Sequence, residues 1–376
     1  MKKEKLYIVF DQLPPKESGG LVATYVNLET LLSDTYDVNI ISVFETTPEA
    51  KKQFKTKDIH IINPRNIDNR FYKTFQYFKQ KEFKRGIKSI WDGLYFFIMI
   101  PRTKRRIKRL VKDNQRVIVS SPAAAIFMPK RIPFLLEIHI GYEYFWGKNK
   151  IGKLQSSLMT KPTLALFRSK YDATHVPVKF KTDYMYNFFD NEGIKVSKSL
   201  VKNRILFMGR LEYQKNPLRL IELAKELKNI NDNFTLDIYG NGSMLQQIQD
   251  KIKELKLEDI VFYKGFSSDK NIYSKYSFLW LPSRSEGLPL SIIEAKANGI
   301  PTITTNWGHA VSEVVENGKD GFIADTNEEF VKCTNQILND NKLQKELSNN
   351  ALKNFNKFSK EKAKEKWLDI LENYTK

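Results

Sequence analysis

The chain has 376 residues, of which 41% are hydrophobic and 12% aromatic, and it carries a formal net charge of +19. This length is sufficient for two domains of ordinary size, each with its own buried core. The single cysteine, Cys333, excludes an intrachain disulfide, and the longest purely apolar run, Leu94 to Ile100, is far shorter than the ~20 residues of a membrane-spanning helix.

The first elements predict a Rossmann-type unit. Leu6 to Phe10 is an apolar strand pattern that follows directly on a short polar start, so we expect no signal peptide. A loop ending in Gly19 and Gly20 separates this strand from a helix predicted over Leu21 to Leu32 and a strand over Val38 to Val43. The two glycines allow either a turn or a close approach of the backbone to a ligand. The dinucleotide fingerprint G-x-G-x-x-G is absent, so NAD is not predicted.

The positive charge is concentrated in the N-terminal half. Residues 1–200 carry a net charge of +17 and residues 201–376 only +2, while residues 51–112 alone hold 19 basic and 4 acidic residues. From Phe71 to Lys112, aromatic residues alternate with basic ones, which is typical of a helix lying on an anionic membrane. The alternative is that the apolar residues pack in the core and the basic residues form a solvated face. An anionic partner is predicted, and no nucleic-acid-binding motif accompanies the charge.

The α/β pattern continues to a polar linker. A strand predicted over Phe134 to Ile140 contains His139, which lies near the strand end, where it could orient a substrate or serve a structural role. Further strands are predicted over Val117 to Ser120 and Ala165 to Ser169. The stretch from Asp190 to Asn203 is polar and aperiodic, so it is the predicted linker between two domains.

A second α/β domain begins near residue 204. Ile205 to Gly209 predicts a strand, and a helix is predicted to begin near Pro217. Arg210 and Lys215 lie in the loop between them, and two cations at the C-terminal end of a strand can neutralise a diphosphate. The next two predicted strands each end at a glycine: Phe234 to Tyr239 before Gly240, and Ile260 to Lys264 before Gly265.

The stretch FLWLPSRSEGLPLSIIEAKANGIPTITT predicts a strand, a loop, a helix and a strand. Glu286 lies in the loop, and Glu294 lies about one turn into the helix. The first helical N–H groups, near Leu290 and Ser291, have no partners within the helix, and with the helix dipole they form an anion site. Carboxylates beside a bound phosphate can accept hydrogen bonds from ribose or sugar hydroxyls. The stretch indicates a nucleotide-sugar site, and the alternative is two solvated glutamates on an ordinary βα unit.

Three segments carry a resemblance to a known family. GRLEYQKNP, SRSEGLPLSIIEAKANGIPTI and SEVVENGKDGFI resemble the C-terminal domain of retaining glycosyltransferases of the GT4 family, also called glycosyltransferase group 1. The specific features are GRL, a lysine five residues after the arginine, and an E-x7-E pair, in that order. The resemblance covers residues 200–325 well and the N-terminal half more loosely.

The resemblance implies an α/β protein of the GT-B fold, with two Rossmann-like domains facing across a cleft. It implies an N-terminal acceptor domain over residues 1–198 and a C-terminal nucleotide-sugar-binding domain over residues 199–359. The last helix, within residues 360–376, would pack back on the first domain.

The resemblance also implies a role for each candidate site residue. Arg210 and Lys215 would bind the diphosphate as it leaves, Glu286 would contact the donor sugar, and Glu294 would hold the ribose hydroxyls. The remaining implied contacts with the donor involve Gly19, Gly20, His139, Gly240, Gly265, Leu290 and Ser291. No D-x-D motif follows a strand, so neither a metal nor another cofactor is predicted.

The implied function is transfer of a hexose or N-acetylhexosamine from a nucleotide-diphosphate sugar, with a UDP-sugar favoured. The acceptor would be anionic, either a bacterial cell-envelope polysaccharide or a lipid-linked oligosaccharide. The enzyme would be cytoplasmic and attached peripherally to the inner membrane face through residues 71–112. The alternatives are glycosylation of an anionic polymer such as teichoic acid, or a non-catalytic GT-B-like or polyanion-binding protein.

Overall fold

The chain divides into two compact units. A computed structural model describes residues 3–14, 20–65, 67, 77–78, 81–112, 115–147, 149–194, 196, 201–267 and 269–374. Unit 1 comprises the residues up to Met185 and those from Lys366 onward, and unit 2 comprises Tyr186 to Glu365. Gly19 and most of residues 66–80 lie outside the described residues. The latter include the first part of the stretch from Phe71 to Lys112, which we call the basic segment.

Unit 1 is built on a parallel sheet of seven strands in the order β3-β2-β1-β4-β5-β6-β7. The strands β1 to β7 are Glu4–Phe10, Tyr36–Phe44, Ile59–Asn63, Arg116–Val119, Leu135–Ile138, Leu164–Phe167 and Lys181–Tyr184. The central strands are nearly continuous runs of buried apolar residues, as expected for a parallel sheet covered on both faces. The winding reverses between β1 and β4, which is the topological switch point of this sheet.

The helices of unit 1 alternate with its strands, as the α/β pattern of the sequence predicts. Helices α1 to α7 are Gly20–Leu32, Pro48–Lys51, Phe83–Leu110, Pro122–Ala125, Glu143–Trp146, Lys150–Leu158 and Lys170–His175. The basic segment contains α3, a helix of 28 residues with Pro101 inside it. Within the described residues, no helix has both the length and the apolar character required to cross a membrane.

Unit 2 repeats the same winding with six parallel strands in the order β10-β9-β8-β11-β12-β13. The strands β8 to β13 are Arg204–Met208, Thr235–Tyr239, Val261–Gly265, Phe278–Leu281, Thr302–Thr305 and Gly321–Ala324. Its switch point lies between β8 and β11, where Phe278 pairs with Ile205. An apolar core that includes Trp280 fills the space between the sheet and its helices.

Helices α8 to α14 are Pro217–Lys228, Leu245–Glu254, Leu290–Ala297, Val311–Val314, Asn327–Asn339, Asn341–Phe355 and Lys360–Asn373. Short 3₁₀ helices cover Tyr213–Lys215, Ile272–Lys275 and Asn356–Phe358. The predicted start of α8 at Pro217 is confirmed. The last helix starts in unit 2, and its residues from Lys366 onward belong to unit 1.

Candidate active site

The switch point of unit 2 brings three of the predicted site residues to one edge of the sheet. The loop after β8 carries Arg210 and Lys215, and the loop after β11 carries Glu286. Because β8 and β11 are parallel neighbours, their C-terminal ends lie side by side. This is the position at which open α/β sheets bind their ligands.

Lys215 and Glu286 form an ion pair at that edge. Lys215 Nζ lies 2.7 Å from Glu286 Oε1, and the two side chains are only 13% and 7% exposed. Arg210 is exposed, and its guanidinium donates a 3.4 Å hydrogen bond to the Gln214 side chain. Lys215 therefore neutralises the carboxylate of Glu286, and Arg210 adds a second, accessible cation.

The two loops are joined by a set of hydrogen bonds that the sequence did not predict. The backbone N–H of Arg284 donates to the carbonyl of Gln214 at 2.8 Å, and the side chain of Gln214 donates to the carbonyl of Ser285 at 2.8 Å. The Arg284 guanidinium donates to Asn216 Oδ1 at 2.9 Å. These contacts hold the two loops together, and they keep Lys215 next to Glu286 although the two residues are 71 positions apart in the sequence.

Helix α10 starts beside the same loop. It begins at Leu290 after Pro289, and among the described residues no side chain caps its first turn. The hydroxyl of Ser291 is buried and has no hydrogen-bond partner in that part of the chain. The start of α10 thus offers N–H groups, a positive dipole end and a buried hydroxyl to an anion.

Glu294 lies one turn into α10 and is held by a tyrosine. The Tyr273 hydroxyl donates a hydrogen bond to Glu294 Oε2. Burial raises the pKa of Glu294, while the hydrogen bond from Tyr273 and the charges of Lys215 and Lys270 offset part of the rise. Burial and the adjacent carboxylate raise the pKa of Tyr273 well above its usual value. Tyr273 was missed by the sequence analysis because its 3₁₀ turn has no periodic signal.

Gly240 and Gly265 come together at the ends of β9 and β10. Gly240 has φ of +135°, and a Cβ atom there would lie 1.8 Å from the carbonyl oxygen of Gly209, so only glycine fits. Its N–H donates to the carbonyl of Gly265 at 2.7 Å. The Tyr263 hydroxyl donates to Asn241 Oδ1 at 3.0 Å in the adjoining loop. These two glycines, which the resemblance assigns to contacts with the donor, are therefore neighbours.

In unit 1, His139 lies one residue beyond β5 within a hydrogen-bonded cluster. Arg168 Nε donates to His139 Nδ1 at 3.1 Å, and the same guanidinium forms an ion pair with the buried Glu137. The Tyr25 hydroxyl lies 2.7 Å from His139 Nε2 and donates to the carbonyl of Ser120 at 3.1 Å. Arg168 Nη2 also lies 3.1 Å from His139 Nε2, so the imidazole is held between the guanidinium and the Tyr25 hydroxyl.

Burial and the nearby charge of Arg168 lower the pKa of His139 well below its usual value, so the imidazole is neutral near pH 7. The cluster was not predicted from the sequence. Glu137 within the apolar run FLLEIHI was the available signal, because a buried carboxylate requires a partner. Gly20, the other described candidate in unit 1, is the exposed first residue of α1.

This lowered pKa predicts an acid-sensitive contribution to stability. The unfolded chain binds a proton at His139 more readily than the folded chain, so stability is lost as the pH falls below about 6.5. We expect the His139→Gln variant to show a shallower fall in melting temperature between pH 7 and pH 5 than the wild type. Thermal unfolding followed by circular dichroism measures this slope. The exposed His175 is the matched control, and an equal change in His175→Gln would contradict the assignment.

Among the described residues, no three His, Cys, Asp or Glu side chains come together as potential metal ligands. The described groups that can meet an anion at this edge are Arg210, Lys215 and the start of α10. Glu286 and Glu294 supply carboxylate oxygens on either side of that start. The arrangement is chemically suited to a diphosphate that carries hydroxyl-rich groups at both ends.

Two Rossmann-type sheets in successive units, with this charged edge on the second, are typical of enzymes of the GT-B fold class. The family "Glycosyl transferases group 1" matches residues 190–354. Over 382 residues the chain is 32% identical to the amylovoran biosynthesis glycosyltransferase AmsD of Erwinia amylovora, covering 98% of this chain and 99% of that protein. The chain belongs to the glycosyltransferase group 1 (GT4) family and is a glycosyltransferase.

Two further comparisons bear on fold and family. Over 173 residues the chain is 30% identical to a Campylobacter jejuni α-1,4-N-acetyl-D-galactosaminyltransferase named for a diNAcBac-PP-undecaprenol-linked acceptor, covering 45% of this chain and 48% of that protein. This alignment therefore spans about half the length of the relative. The crystal structure of a point mutant of S. aureus TarM with Fondaparinux, α-GlcNAc-glycerol and UDP superposes with a TM-score of 0.75 at 15% identity, covering 98% of this chain and 99% of that one. The predicted fold class and family are confirmed.

Proposed function

We propose that this enzyme transfers a hexose or N-acetylhexosamine from a UDP-sugar to a lipid-linked oligosaccharide or cell-envelope polysaccharide, with retention of anomeric configuration and without a metal. The observation that carries the proposal is the nearly buried Lys215–Glu286 pair at the switch point of unit 2. A carboxylate repels an adjacent diphosphate unless a cation neutralises the carboxylate. In the proposal, Lys215 is the cation that neutralises Glu286.

In the proposed mechanism, the bond between the sugar carbon and the diphosphate oxygen breaks, and its electron pair goes to that oxygen. Arg210, Lys215 and the start of α10 at Leu290 and Ser291 stabilise the resulting charge. Glu286 faces the positive charge that develops on the sugar. The acceptor hydroxyl attacks from the same face and gives its proton to the leaving diphosphate, so charge and protons balance.

The rest of the donor is assigned to the neighbouring groups. Glu294, oriented by Tyr273, accepts hydrogen bonds from the ribose hydroxyls. Backbone groups around Gly240 and Gly265 meet the base. The family resemblance also assigns Gly19, Gly20 and His139 to the donor, and these assignments stay predictions.

Donor and acceptor classes are supported by the relatives. The TarM structure contains UDP, and the Campylobacter jejuni relative is named for an undecaprenol-linked acceptor. In the proposal, residues 199–359 bind the donor, and residues 1–198 with the last helix bind the acceptor. The strong positive charge of residues 1–200 suits an acceptor that carries a diphosphate and a membrane surface that carries anionic lipid.

The proposal predicts slow, metal-independent hydrolysis of one nucleotide sugar in the absence of acceptor. The experiment compares UDP-glucose, UDP-N-acetylglucosamine, UDP-galactose and GDP-mannose in the presence of EDTA. We expect nucleotide release from one donor, little changed by EDTA and at least about 100-fold slower in Glu294→Ala. The product anomer, observed by NMR before mutarotation, should match that of the donor.

The matched control is Glu258→Ala, which removes an exposed carboxylate just before β10, at the opposite end of that strand from Gly265. It should hydrolyse the donor at the wild-type rate. Complete loss of release in EDTA, with recovery on adding Mg²⁺ or Mn²⁺, would contradict the metal-free mechanism. An inverted anomer would contradict same-face attack.

A further inference from the structure

Helix α3 exposes seven large apolar residues. Over its first five turns, the exposed side chains form a stripe of Phe83, Ile87, Ile90, Trp91, Leu94, Phe97 and Ile98. These positions recur every three or four residues, so they lie on one face of the helix. We call this set the outward stripe. A surface helix of a water-exposed protein normally shows the opposite orientation.

The inward face of the same helix is small or polar in its first turns, and apolar residues join it from Tyr95 onward. Its buried residues are Gly86, Ser89, Asp92, Gly93, Met99, Thr103 and Ile107. Asp92 forms a 3.0 Å ion pair with Arg65, and Thr103 accepts a 2.9 Å hydrogen bond from the Asn63 side chain. These polar contacts fix the rotation of α3 about its axis, so the outward stripe is a preformed surface.

The outward face becomes basic toward the C-terminal end of α3. Arg102, Arg105, Lys108 and Arg109 continue the stripe on the same side of the helix and are exposed. In total α3 carries nine basic residues and one acidic residue, a net charge of +8. One face thus combines apolar side chains, including a tryptophan, with a cluster of cations, which is the composition of an interfacial helix.

We propose that the outward face of α3 docks on the surface of an anionic phospholipid bilayer, with the outward stripe in the interfacial layer and the basic end against lipid phosphates. This inference rests on the proposed function, because it assigns the membrane partner to a defined surface of unit 1. A second copy of this chain is disfavoured as the occupant, since apposing two α3 faces would bring together two helices of charge +8.

A second amphipathic helix extends the surface. Helix α6 exposes Ile151, Leu154 and Leu158, which lie on one face, and its Lys150 and Lys153 are also exposed. Thr160, two residues after α6, accepts a 3.2 Å hydrogen bond from Lys104 of α3. The end of α6 therefore lies next to the basic end of α3, and we include it in the docking surface.

Trp91 provides a direct readout of docking. It is 62% exposed, whereas Trp280, Trp307 and Trp367 are buried. Adding vesicles of phosphatidylglycerol and phosphatidylcholine in equal parts should shift the tryptophan emission to the blue, and phosphatidylcholine vesicles alone should not. The Trp91→Phe variant should still float with the mixed vesicles but should lose the shift.

Variants separate the two ends of the surface. In flotation, Arg102→Gln/Arg105→Gln/Arg109→Gln should weaken vesicle binding about 100-fold. Trp91→Gln/Ile98→Gln should weaken vesicle binding at least about 10-fold, and the binding that remains should be abolished by salt. The matched controls lie in unit 2 and are exposed: Lys225→Gln/Lys332→Gln/Lys345→Gln for charge and Ile230→Gln for apolar surface. Both controls should bind as the wild type does.

Several results would overturn the proposal. In the first, the α3 variants bind the mixed vesicles as tightly as the wild type does. In the second, the protein binds phosphatidylcholine vesicles as tightly as the mixed vesicles. In the third, the protein forms a dimer without lipid, and Trp91→Gln/Ile98→Gln abolishes that dimer. Capture of soluble polyphosphate instead of anionic vesicles would likewise favour a polymer partner. Donor hydrolysis, which needs no lipid, is measured on the same samples. Vesicle binding without hydrolysis would overturn the proposed function alone, and hydrolysis without vesicle binding would overturn the docking surface alone.

Discussion

Replacing Lys215 by methionine is expected to lower kcat for sugar transfer about 1,000-fold and the free energy of unfolding by about 3 kcal/mol. The loss of rate follows because the departing diphosphate would lose a cation held at the edge of the sheet. The loss of stability follows because Glu286, whose side chain is 7% exposed, would keep its charge without a partner. Steady-state kinetics and urea unfolding measure the two effects separately.

The double variant Lys215→Met/Glu286→Gln distinguishes the two roles of the pair. With both charges removed, we expect most of the lost stability to return, while kcat stays at or below the value of the single variant. A matched control is Lys251→Met, because Lys251 pairs with Glu222 at the same 2.7 Å but with side chains 27% and 44% exposed. That change should cost less than about 1 kcal/mol and leave kcat unaltered. Recovery of rate in the double variant would mean that the pair is only structural.

The site of unit 2 was largely predictable because its residues lie in local sequence patterns. Arg210 and Lys215 follow the strand β8, and Glu286 follows the strand β11. Loops that follow adjacent parallel strands lie at the same edge of the sheet. The partner of each side chain was not predictable. The Lys215–Glu286 contact joins loops 71 residues apart, and Tyr273 reaches Glu294 from a 3₁₀ turn without periodicity. Sequence periodicity describes which face a residue occupies within its own element, and it carries no distances between elements.

Unit 1 shows the same limit more strongly. The pattern of α3 predicted an amphipathic helix, but a periodic pattern does not state which face turns toward the protein. The usual expectation would bury Trp91 and Leu94, whereas the structure buries Asp92 and Gly93 against the sheet. The signal is the ion pair of Asp92 with Arg65, which lies in the loop after β3, 18 positions before the helix. The His139 cluster likewise depends on Arg168 from a different strand end.

Glu294→Gln is expected to raise KM for the donor, with about a 100-fold loss in kcat/KM, and at the same time to stabilise the folded protein above neutral pH. The amide keeps one acceptor for a ribose hydroxyl but loses the charge that strengthens both hydrogen bonds. Loss of an interaction that is the same in the ground and transition states appears mainly in KM. Donor titrations with the nucleotide sugar identified by hydrolysis measure this change.

The gain in stability follows from the raised pKa of Glu294. A carboxyl group with a higher pKa in the folded than in the unfolded state binds more protons when folded. Its contribution is therefore greatest below about pH 4, and stability is lost as the pH rises through the folded pKa. Glutamine does not ionise, so the melting temperature of the variant should exceed that of the wild type by a margin that grows from pH 4.5 to pH 8.

A second buried carboxylate shows why this effect is specific to the site. Glu29 accepts hydrogen bonds from the backbone N–H groups of Lys55 and Thr56, one on each carboxylate oxygen, and a glutamine would supply only one of these acceptors. Glu29→Gln should therefore lower the melting temperature at pH 8, opposite to the change in Glu294→Gln. Among the described residues, Tyr273 is the hydrogen-bond donor to Glu294, and in the proposed function the ribose hydroxyls are the further donors. If Glu294→Gln lowered stability at pH 8 or left KM unchanged, Glu294 would be a structural residue and the ribose assignment would be wrong.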